Sequence, residues 1–93
     1  MSAVVLELGR NTGALVLYTP AGLDEREIEI SRVGAPARTH SPVHRRQTST
    51  ATVYAAVYPD LPAGDYTIWR DADNRATTTT VTGGAVTTCH WPD

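Results

Sequence analysis

The chain has no lysine, no phenylalanine and a single cysteine, Cys89, among its 93 residues. Each absence excludes something. One cysteine cannot form an internal disulfide, so the stapled scaffold of a small secreted domain is ruled out. Without phenylalanine the core must come from Val, Leu, Ile and Ala with a few Tyr and Trp, which favours small, stiff side chains over a wide ligand cavity. The eight basic residues are all arginine, the net charge is −2 and the isoelectric point lies near 5.8. A domain that wraps nucleic acid by neutralising phosphates is far more basic, so no nucleic-acid partner is expected. Arginine without lysine, alongside the Ala, Thr and Val bias, points to a GC-rich coding genome. No apolar run approaches the roughly 20 residues a helix needs to span a bilayer. The first residues carry no basic segment followed by an apolar core, so a cytoplasmic protein without membrane contact is expected. Apolar residues at i, i+3, i+4 and i+7 are missing over any useful length, which argues against helices.

What is present is period-2 alternation broken by turn residues. Residues 1–93 are too few for a second core and are expected to form a single domain. Ala3–Leu8, Ala14–Thr19, Glu27–Ser31, Thr52–Tyr58, Asp65–Trp69, Arg75–Thr82 and Ala85–Trp91 read as strands. Arg38–Arg46 reads as an edge strand because Pro42 interrupts it. Pro59, Pro62 and Gly64 break the ladder between two strands, and Gly83-Gly84 signals a tight hairpin. The expectation is an all-β fold: one small antiparallel β-sandwich of about seven or eight short strands, prealbumin-like or immunoglobulin-like.

Leu61-Pro62-Ala63-Gly64-Asp65-Tyr66-Thr67-Ile68 resembles the L-P-x-G-x-Y-x-L signature of transthyretin-like sandwich modules, a group that includes collagen-adhesin B-type repeats and carboxypeptidase regulatory domains. Thr80–Thr87 resembles the closing hairpin of such modules, and the whole chain resembles short actinobacterial proteins built from the same pieces. The resemblance implies a tyrosine corner, in which Tyr66 sends its hydroxyl back to a backbone group. It implies structure rather than activity, because the signature recurs on modules with unrelated roles. The isopeptide chemistry of some surface adhesins needs a lysine, which this chain lacks. Nothing resembles a catalytic zinc domain.

The residues that could carry chemistry are few. His40, His44, Cys89 and His90 are the only imidazole or thiol ligands. On a regular strand His40 and His44 share a face but stand about 13 Å apart, and Cys89 and His90 point to opposite faces. Zinc needs three or four ligands converging at about 2.0–2.3 Å. No cofactor is therefore expected, and a small metal-binding protein or enzyme using these four residues is the alternative reading. No G-x-S-x-G elbow occurs, and Ser41 and His40 are adjacent on a strand and so diverge. Asp60 and Asp65 fit turn capping better than catalysis, and Asp71 and Asp73 with Asn74 suggest a calcium loop but lack the glycine and terminal glutamate of an EF-hand. No catalytic residue is assigned.

Surface chemistry points instead to a protein partner or to self-association as a homodimer. Arg38, Arg45 and Arg46 suit a carboxylate-bearing partner, although charge that merely protects an edge strand explains them as well. If Tyr66, Ile68, Val53 and Val57 face the core, then Tyr54, Tyr58 and Trp69 face outward, the side-chain types that anchor protein interfaces. The functional expectation is a non-enzymatic binding or accessory module with Tyr54, Tyr58, Trp69, Arg38, Arg45 and Arg46 at its contact surface.

Overall fold

The computed structural model describes residues 11–92, so the expected strand Ala3–Leu8 lies outside the described residues. Seven strands follow in order: β1 (Thr12–Thr19), β2 (Glu27–Arg32), β3 (Arg38–Gln47), β4 (Thr52–Pro62), β5 (Gly64–Trp69), β6 (Arg75–Val81) and β7 (Val86–His90). A single 3-10 turn, Ala21–Leu23, joins β1 to the approach of β2. The fold is all-β, and the ladder runs β6-β5-β2-β3-β4-β1-β7. Every pairing is antiparallel except β1 with β7, which is parallel; here the fold departs from the expected wholly antiparallel sandwich.

That parallel pair explains how the sheet curls. β6 and β7 stand at opposite ends of the ladder, yet only residues 82–85 separate them in the chain. A link of that length reaches at most roughly 18 Å, so the two ends must be brought round towards each other. The Gly83-Gly84 segment is therefore not the turn of a hairpin, as its composition suggested, but a bridge between the two edges. It is fastened to β1: Gly84 N–H donates to Thr12 O at 2.8 Å, and Ala14 N–H donates to Ala85 O at 3.0 Å. Gly13 lies under this bridge, where a Cβ would collide with the Thr82 carbonyl and sit 2.9 Å from Ala85 O.

The other turning point is β3. Its first half, through Pro42, pairs with β2, and its second half, from Val43, pairs with β4. Val43 sends its N–H to Arg26 O and accepts from Glu25 N–H. Backbone groups alternate sides along a strand, so Pro42 turns its nitrogen towards β4, where a missing N–H costs nothing. The strand is thus interior to the sheet as a whole but an edge in each half. At the split, Ser41 Oγ donates to Val57 O at 2.8 Å in place of a ladder bond. β4 also runs on through Pro59 to Pro62 instead of stopping there: between Gly13↔Leu61 and Leu15↔Tyr58 it carries one extra residue, a bulge that accommodates Pro59-Asp60.

The core comprises Leu15 and Leu17 of β1, Ile28 and Ile30 of β2, Val43, Ala56, Tyr58, Leu61, Tyr66, Ile68 and Val81. Each fully buried Leu or Ile contributes about 1.5–3 kcal/mol. Two tyrosines supply the volume that phenylalanine would otherwise provide, and each pairs its hydroxyl. Tyr58 Oη donates to Ile28 O at 2.7 Å, and Tyr66 Oη donates to Pro62 O at 2.6 Å, the tyrosine-corner geometry that the Leu61–Ile68 motif implied.

Candidate functional site

The expected outward set of Tyr54, Tyr58 and Trp69 does not exist as one surface. In β4 the register pairs Ala56 with Leu17 and Tyr58 with Leu15, so the 54/56/58 parity faces inward. Tyr58 is 3% exposed, and burial, reinforced by the charge of Glu27, pushes its hydroxyl pKa well above the usual tyrosine value. Tyr54 is half-buried against the edge of the core. The half-buried Val53 and Val57 take the outer face together with Val16 and Tyr18 of β1, and Ala55 between them has the same parity but is fully covered. The inward Tyr58 also satisfies its polar end, since its hydroxyl reaches the Ile28 carbonyl across the core.

Trp69 does face outward, but its surface is already used. Its Nε1 donates to Ser31 Oγ at 2.9 Å, and the Arg38 guanidinium lies 3.8 Å from the ring centroid. Arg38 also donates to Glu29 Oε1 and to Ala72 O, both at 2.9 Å. His40 Nδ1 lies 2.6 Å from Glu27 Oε1 on the same face. A depression of about 380 Å³ opens here between Glu27, Glu29, His40 and Trp69. Most of its polar groups are matched within the chain, as a charged sheet face protected against edge pairing requires.

Arg45 and Arg46 differ. Both are exposed, and neither makes an ion pair or side-chain hydrogen bond among the described residues. Arg45 stands opposite Tyr54 and Arg46 opposite Val53. Beside them a hollow of about 450 Å³ is lined mainly by Tyr18, Thr19, Val53, Tyr54 and His90. Tyr18 and His90, on neighbouring strands β1 and β7, stack with ring centroids 5.4 Å apart. This pairing was not anticipated, because β1 reads as apolar throughout; the signal was the alternation of Leu15 and Leu17 with Val16 and Tyr18. Val86, 66% exposed, extends the same outer face along β7.

The four metal-ligand candidates are not brought together. His44, Ala55, Tyr18 and His90 form one cross-strand row, with His44 and His90 three strand spacings apart, roughly 14 Å. His40 lies on the other half of β3, beyond Pro42. Cys89 pairs with Leu17 on the inward parity, and burial raises its thiol pKa despite the nearby Thr79 hydroxyl, which keeps it a poor nucleophile. Among the described residues no three His, Cys, Asp or Glu side chains are grouped to hold a metal ion. None of the described helical segments is long and apolar enough to cross a membrane.

Comparison with protein-family models, curated proteins and solved structures finds no match to the chain.

Proposed function

We propose that the chain is a non-enzymatic binding module that acts through protein–protein contact, with the outer face around Arg46, Val53 and the Tyr18–His90 pair as its contact surface and Arg45 and Tyr54 at its strand-end edge. One observation carries the reading: the exposed Arg46, without a partner among the described residues, shares the outer face with Val53, Tyr18 and His90 of a mostly apolar, aromatic-lined hollow, while the equally unpaired Arg45 leaves the opposite face beside Tyr54 at its edge. Arginine and tyrosine together are the side chains that dominate binding energy at protein interfaces. Guanidinium groups take carboxylates in bidentate pairs, so the partner surface is acidic. The likeness of Leu61–Ile68 to transthyretin-like modules supports a scaffold role rather than catalysis. Trp69 and Arg38 contribute by holding the neighbouring face rigid.

The experiment compares the wild-type chain with Arg45→Glu/Arg46→Glu as bait in the native host. Proteins held by the wild type, released by raised salt and lost with the variant support the reading, because exposed charge pairs are screened over about 8–10 Å at moderate ionic strength. Identical retention by both baits, or no specific retention by either, rejects it.

A further inference from the structure

The free side of β6 presents a hydrogen-bonding pattern complementary to itself. Val33 N–H donates to Asp65 O at 2.8 Å, so the backbone groups of Asp65 point towards β2 and away from β6. Asp65 is the register partner of Thr80, and Thr67 that of Thr78. These are accordingly the non-hydrogen-bonded pairs of the β5–β6 ladder, and the N–H and C=O groups of Thr78 and Thr80 point away from β5. Both residues are exposed, and β6 pairs with no other strand among the described residues. Between Ala76 and Thr82 there is neither a proline nor a charged side chain, so among the described residues the bulge at Ala76, where the strand starts, is what blunts this edge, and Thr77–Val81 beyond it run regularly.

We infer that β6 pairs antiparallel with β6 of a second copy of this chain about a two-fold axis at Thr79. In that register Thr78 lies opposite Thr80 of the second copy, and Thr80 opposite its Thr78. Both are hydrogen-bonded pairs, and the groups each residue offers are the ones its opposite number needs. Side-chain parity agrees: Thr78 and Thr80 both lie on the outer face, where β-branched threonines pack well across strands. Thr79 meets its own copy on the inner face. Arg75 falls opposite Gly83 of the second copy, so no like charges oppose one another. The other free strand, β7, is shorter, carries exposed Val86 and the stacked His90, and runs into Trp91-Pro92. The inference is independent of the acidic-partner surface, which lies on β3, β4, β1 and β7.

Sedimentation equilibrium of the whole chain tests it. The wild type shows a concentration-dependent monomer–dimer equilibrium. Thr78→Pro removes one edge N–H without touching the β5 ladder and weakens association by about tenfold or more. Because that variant risks the fold, a charge pair at two exposed positions provides a second arm. Thr78→Lys/Thr80→Lys sets like charges opposite each other in both pairs and weakens association, whereas Thr78→Glu/Thr80→Lys sets opposite charges there and strengthens it. A wild type that stays monomeric up to about 1 mM, or a dimer whose constant is the same in both charge variants, overturns the inference.

Discussion

At the split between β3 and β4 and along the outer side of β6, the chain leaves strand edges without a ladder partner, and it treats the two places differently. The split is closed chemically. Pro42 and Pro59 have no N–H to offer, Ser41 donates its hydroxyl to the Val57 carbonyl, and Tyr58 lies beneath with its own hydroxyl on Ile28 O. Among the described residues the β6 edge has no such closure. Its exposed threonines alternate with half-buried ones, and the backbone groups of Thr78 and Thr80 point outward unblocked. A sheet that protects one edge and leaves another open retains the capacity to pair at the open one. The unprotected edge is thus where the fold can extend, and the split is where it holds itself together.

The largest expected effect breaks the closed side. Tyr58→Ala removes the ring beneath the split and should cost about 3–5 kcal/mol in denaturant unfolding. A loss below about 1 kcal/mol would restore the outward placement of Tyr58. Next is Gly13→Ala, at the seam where the bridge between β6 and β7 crosses β1. The atoms facing a new Cβ there are backbone carbonyls that cannot swing aside, so a loss of about 1–3 kcal/mol is expected from the same measurement. A neutral result would mean that the bridge is not held against β1.

A matched pair of hydroxyl deletions then sharpens the contrast. Ser41→Ala should cost about 1 kcal/mol because it removes the bond across the split, whereas Thr78→Ala should stay within about 0.5 kcal/mol for the isolated monomer. Equal losses would show that the two edges are not distinct.

The smallest effect concerns the turn that feeds β6. Asp71 accepts from the Asn74 side chain and from the backbone N–H groups of Asp73 and Asn74, and these bonds, the Asn74 side chain first, hold its carboxyl below the usual pKa. A folded pKa lowered in this way stabilises the fold above the ordinary carboxyl value, and the contribution is lost as pH falls through that value towards the folded one. Asp71→Asn keeps an acceptor oxygen for the turn, so its acid unfolding profile should lose a small part of the wild-type pH dependence. Superimposable profiles would assign that dependence elsewhere.

Much of the fold was legible because period-2 alternation is a local property. β2 reads cleanly from Ile28 and Ile30 against Glu27 and Glu29, and the Tyr66 corner follows from Leu61–Ile68. The face of β4 was not legible. Both of its parities are apolar, and alternation says that two faces differ without saying which is buried; the pairing of Ala56 with Leu17 and of Tyr58 with Leu15 decides it. The path after β6 was hidden for another reason. Gly83-Gly84 encodes a reversal, but whether the flanking strands pair depends on β1, which takes β7 for itself. In the candidate site, the exposed arginines 45 and 46 were legible from the run of polar residues. The Tyr18–His90 stack was not, because it depends on that same long-range parallel pairing.

The open β6 edge is tested most directly by amide hydrogen exchange measured residue by residue across a concentration series. In dilute solution the Thr77 and Thr79 amides, bonded to β5, should exchange slowly, and those of Thr78 and Thr80 quickly. As concentration rises, Thr78 and Thr80 should become protected together while the Arg45 and Arg46 amides stay unchanged. Fast exchange at Thr78 and Thr80 at every concentration, or protection already complete in dilute monomer, would contradict an open, self-pairing edge.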